Sequence, residues 1–214
     1  MTDTDGRLRL LDGAAPTLFL VAGALLLVFA ALMGYQAFVD SSVNFADNEA
    51  DFFGPAGLLF GFLGLLGLYR TLADRSPRLA LVGAVSAAVG VLGAAVIALG
   101  MLATLVGVLS GPPSWAAVLA LGILVGMVGG YPVFGVGTLH TGVSSRTVAI
   151  LLLVPVAVFL LMISGVVGTI LGDAVARFVL ASGQALSHLA LGVALMAGTH
   201  ATPDGDLERS PAES

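Results

Sequence analysis

The chain has no cysteine and no lysine among its 214 residues, and only 10% of them are charged. Without cysteine, disulfides, thiolate metal sites and thiol catalysis are excluded. Without lysine no retinal Schiff base can form, so a retinal-based pump or sensor is excluded as well. All eight basic residues are arginine, set against thirteen acids, for a net charge of −5. That balance, with no basic patch, argues against nucleic acid, whose binding depends on neutralising phosphates. Soluble domains run near a quarter charged. A chain this poor in charge cannot cover a water-facing surface.

What is abundant is apolar. Hydrophobic residues make up 58% of the chain, mean hydropathy is +1.06, and 29 residues are glycine. A membrane-spanning helix needs roughly 20 apolar residues, and six segments meet that length: 17–39, 52–69, 79–109, 115–139, 147–171 and 174–198. The fold expected is therefore an all-α polytopic transmembrane helix bundle of about six helices. It divides into an N-terminal cytoplasmic segment (1–16), a transmembrane domain (17–198) and a disordered cytoplasmic tail (199–214). The leader MTDTDGRLRLLDGAAP is mixed in charge, and the apolar run behind it is too long for a cleaved signal, so that run is expected to stay as the first span.

Arginine placement sets an orientation. With the N-terminus inside, Arg7, Arg9, Arg70, Arg75, Arg78, Arg146 and Arg209 are cytoplasmic and only Arg177 is outside, as the positive-inside rule requires. The segment 40–51 carries four acids and no base, and Trp115 stands where an outer aromatic belt belongs. A multi-pass protein of the cell membrane with both termini cytoplasmic follows.

Glycines recur at spacings of three and four. Gly57, Gly61 and Gly64 share one face of the second helix; Gly83 and Gly90 answer on the third, Gly122 and Gly126 on the fourth. Such stripes let helix backbones approach closely in lipid. Tyr131-Pro132 and Pro155 lie at similar depth in the fourth and fifth helices, where each proline removes a donor and bends its helix.

The sixth helix carries a polar stripe. Asp173, Arg177, Gln184 and His188 follow at steps of four, seven and four, which keeps them on one face and draws a candidate polar path from the outer surface to mid-bilayer. Ser182 and Ser187 flank it, and Ser164 and Thr169 offer polar groups on the fifth helix. His188 is the one ionisable side chain near the midplane, and such residues are costly. The plainer account has Asp173 capping the helix and pairing with Arg177 while a neutral His188 bonds a neighbouring helix.

No metal or cofactor site is expected. His140 and His200 lack a nearby acid, and no second buried histidine faces His188 for haem. Asp47, Glu49 and Asp51 alternate like a calcium loop, but Phe52 and Leu58 stand where a glycine and a bidentate acid are required. No hydrolase, zincin or P-loop motif is present.

Thr71-Leu72 ahead of Arg78-Leu79-Ala80 is similar to Thr138-Leu139 ahead of Arg146-Thr147-Val148-Ala149. Each reads as the turn between the second and third helix of a three-helix unit, and two such units would form a 3+3 inverted repeat. The stretch from Gly64 to Gly83, GLLGLYRTLADRSPRLALVG, resembles small multipass membrane proteins of haloarchaeal type, in keeping with the acidic, lysine-free composition. The resemblance implies no activity. The leading expectation is a structural or accessory membrane component, whose partners are the lipid bilayer and other membrane subunits or itself. The alternative is a small transporter or channel for a neutral solute or protons; an enzyme has only His188 and scattered serines behind it.

Overall fold

A computed structural model describes residues 3–42, 50–110 and 116–199, and among them every regular element is helical. In chain order these are α1 (Asp3–Phe38), α2 (Ala50–Gly67), α3 (Tyr69–Ala73), α4 (Pro77–Leu105), α5 (Ala116–Val125), a π-helical turn (Gly126–Gly130), α6 (Tyr131–Thr141), α7 (Arg146–Ser164), α8 (Val166–Leu171) and α9 (Asp173–Thr199). Six spans are long and apolar enough to cross a bilayer: Gly13–Phe38, Phe52–Ala73, Pro77–Leu105, Val118–Thr141, Arg146–Ser164 and Asp173–Gly198. The chain is an all-α bundle of the multipass membrane type. Trp115, Asp47, Glu49, His200 and the tail beyond Thr199 lie outside the described residues.

The spans form a closed ring in chain order, each packed on the next and the sixth returning to the first. Neighbours run antiparallel: Gly23 meets Leu189 and Gly34 meets Phe178, so α1 and α9 pass in opposite directions. The start of the first span and the end of the last therefore share one face, here the terminal face, with the turns at 74–76 and 142–145. Residues 40–42 and 165–172 lie on the opposite, distal face.

Lipid offers no hydrophobic drive between helices, so close fit and dispersion must hold the ring. The inner side of α4 is accordingly small, with Ala80, Gly83, Ala87, Gly90 and Ala94 all buried, while Leu81, Val85, Leu92 and Leu99 face outward. Gly90 and Gly126 approach until a Cβ on Gly90 would stand 3.0 Å from the Gly126 Cα. The ring has no open centre: Phe19, Phe62, Leu65, Met127, Tyr131 and Phe134 fill it.

Two span ends fall short of expectation, and one span is irregular inside. The third span stops at Leu105 rather than Leu109, because Gly107 turns to positive φ (76°) ahead of Pro112. The fifth stops at Ser164 rather than Leu171, because Gly165 adopts φ 69° and starts the separate short helix α8. In the fourth, a π turn precedes Pro132, whose missing N–H leaves the Val128 carbonyl without its α-helical donor.

The two arginine turns are not counterparts in an inverted pair. One joins the second and third spans, the other the fourth and fifth, and both lie on the terminal face, whereas inversion would put them on opposite faces.

Candidate functional site

The polar groups of the ring converge where the fourth, fifth and sixth spans meet. Tyr131 opens α6 directly after the π turn, and its ring is buried inside the bundle. Its Oη lies 2.7 Å from His188 Nε2, and His188 Nδ1 lies 2.8 Å from the Gln184 carbonyl oxygen. The carbonyl can only accept, so Nδ1 carries a proton; in the neutral tautomer with that proton, Nε2 accepts from the tyrosine hydroxyl. Both side chains are completely buried. Phe19 packs beside His188 (ring centroids 6.2 Å) and Phe62 beside Tyr131 (5.9 Å).

Room for this pair comes from a missing side chain. A Cβ on Gly61 would stand 2.5 Å from Tyr131 Oη and 2.8 Å from His188 Nε2. The other stripe glycines meet apolar neighbours: Gly57 faces Leu26, Gly64 faces Phe19, Gly83 faces Phe134, and Gly90 with Gly126 holds Phe62. Gly122 lies against the Val89 carbonyl of the third span.

One turn toward the distal face, Gln184 donates from Nε2 to the Pro155 carbonyl (2.8 Å), tying the sixth span to the fifth. Its buried Oε1 has no hydrogen-bond partner among the described residues. Ser187 is also buried and donates to the Gln184 carbonyl. Ser164 and Thr169, by contrast, are exposed and donate to carbonyls of their own segment, so they add nothing to the cluster.

Arg177 and Asp173 stand further out and are exposed. Asp173 is the first residue of α9, where a carboxylate suits the helix dipole. The two line a distal recess of about 440 Å³ with Phe29, Met33 and Leu180. A narrower cavity of about 180 Å³ continues inward from Arg177 to Gln184 between Leu26, Leu58, Phe159 and Leu180. The four stripe residues are thus brought into one line, but the stretch between Arg177 and Gln184 is walled by apolar groups, and His188 lies beyond its end. On the terminal face a recess of about 440 Å³ reaches Leu72, Thr138, Val148 and Leu195. Thr138 is two helical turns along from Tyr131, and Leu195 two turns along from His188.

The sequence reading places Tyr131 only in a kink and Thr138 only in the turn of the repeat. The signal for the first was present: a mid-span histidine needs a partner, and Tyr131 is the tyrosine farthest from a span end in its vicinity.

Comparison of the chain with protein-family models, with curated proteins and with solved structures finds no match.

Proposed function

We propose that this six-span protein is a small membrane transporter for an uncharged solute, with Tyr131, Gln184 and His188 at its central constriction. The observation that carries the reading is a pair of recesses on opposite sides of the buried polar cluster, the distal one reaching Gln184 and the terminal one ending at Thr138 and Leu195, two helical turns from Tyr131 and His188. The solute is uncharged because the spans place no charged side chain between their ends: Arg70, Arg78 and Arg146 lie at one face, Asp173 and Arg177 at the other. A charged solute at the centre would meet nothing to offset its desolvation. The arginine distribution orients the terminal face toward the cytoplasm.

A second reading, a structural or accessory component that packs against other membrane subunits or a second copy, is supported by the complete burial of Tyr131, His188, Phe19 and Phe62. Single cysteines at Gln184 and Leu195 in reconstituted vesicles separate the two. Transport requires that a small impermeant thiol reagent reach position 184 from the distal side and 195 from the terminal side. It also requires that vesicles re-swell in glycerol or urea faster than empty ones. Silence at both cysteines and no excess flux would leave the structural component standing.

A further inference from the structure

Gln184 is 7% exposed, and its side-chain amide is held in one sense. The Pro155 carbonyl can only accept, so the amide nitrogen must be the atom that faces it, 2.8 Å away. The amide oxygen is the end left over. Among the described residues this buried Oε1 has no donor, which makes it a polar atom that has given up water and gained nothing from the protein.

Gln184 also walls the cavity of about 180 Å³ between α1, α2, α7 and α9, and it is the innermost α9 residue of that wall. Among the described residues, Arg177 and Gln184 are the only lining side chains that carry nitrogen or oxygen; the rest of the wall is apolar. Met162, Arg177 and Leu180 are shared with the distal recess, which gives the cavity its way out. These walls select an occupant. A buried water takes about two to four polar partners, and the inner end offers it Gln184 alone. A carboxylate would bring Oε1 no donor. An ammonium would enter past Arg177 with no acid on the cavity wall to offset its desolvation. An uncharged molecule with one hydroxyl and an apolar body meets every requirement, and an apolar cavity of roughly 150 Å³ already admits a benzene-sized body.

We infer that this cavity binds a straight-chain primary alcohol of about six to eight carbons, its hydroxyl donating to Gln184 Oε1 and its chain lying along Leu58, Phe159 and Leu180 toward Arg177. The inference shares Gln184 with the transport reading but concerns binding at equilibrium, whether or not the bound alcohol crosses the bundle.

The test uses full-length protein in phosphatidylcholine vesicles and an octanol bearing a mid-chain diazirine, with the photo-adduct located by mass spectrometry. Saturable labelling of the α7 and α9 walls, around Phe159 and Leu180, is expected. At matched membrane concentration 1-octanol should displace the probe roughly fivefold better than its isomer heptyl methyl ether, which has the same bulk and no donor. Gln184→Met removes the acceptor and keeps the shape, so in that variant the alcohol should compete no better than the ether. Leu58→Phe narrows the cavity without touching Gln184 and should reduce labelling. Equal competition by alcohol and ether in the wild type, labelling that does not saturate, or labelling unchanged in both variants would overturn the site. So would octanoate competing as well as octanol, since that would put a carboxylate on Arg177 and leave Gln184 unused. Glycerol or urea flux in the same vesicles scores transport separately: flux without saturable labelling removes only the alcohol site, and labelling without flux removes only the transport reading.

Discussion

Tyr131 and His188 are 57 residues apart in the chain and 2.7 Å apart in the fold, joined by a hydrogen bond inside the ring's filled centre. The bond ties the fourth span to the sixth at a depth where water cannot replace it. Tyr131→Phe keeps the ring and its packing on Phe62 but leaves His188 Nε2 without a donor. In a membrane setting such a loss costs about 1 kcal/mol. Unfolding of the purified variant in detergent should show that decrease; no change would mean the hydroxyl contributes nothing to holding the two spans together.

Gly61 exists for this pair. Gly61→Ala would drive a methyl group into Tyr131 Oη and His188 Nε2, which packing on all sides prevents from moving freely. The expected destabilisation is roughly 1–3 kcal/mol. Gly13→Ala is the control, since no neighbouring heavy atom lies within 4 Å of the added Cβ and alanine is the better helix former. Equal melting temperatures for the two variants would contradict the packing argument.

How far the chain could be read follows from the range of each signal. The six spans are legible because span length is a local property imposed by the bilayer. The alignment of Arg177, Gln184 and His188 is legible because helical periodicity is local too. The Tyr131–His188 bond is not, since nothing local relates two residues on different spans. Gly165 and Gly107 end helices, yet in sequence they look like Gly61, which packs inside one; only φ distinguishes them.

The orientation is open to direct labelling in a cysteine-free chain. Single cysteines at Ser42 on the distal face and at Arg75 on the terminal face replace exposed residues outside the packed ring. In intact cells an impermeant thiol reagent should modify position 42 and spare position 75. The reverse pattern would invert the topology and place the four terminal-face arginines Arg70, Arg75, Arg78 and Arg146 outside.

Gln184 allows stability and passage to be measured apart. Its Nε2 donates to the Pro155 carbonyl, but its buried Oε1 has no partner among the described residues. Removing the amide therefore deletes one hydrogen bond together with one unsatisfied acceptor, and these two terms oppose each other. The Pro155 carbonyl, inside α7, keeps its helical neighbours. Gln184→Met, which is close in shape and flexible, should change stability by less than about 0.5 kcal/mol. His188→Leu instead leaves the Tyr131 hydroxyl buried with no acceptor and should cost more, on the order of 1–3 kcal/mol. If Gln184 serves solute passage, the Met variant will melt like the wild type and lose the glycerol or urea flux of reconstituted vesicles. A Met variant that is as stable and as active as the wild type would remove Gln184 from the pathway.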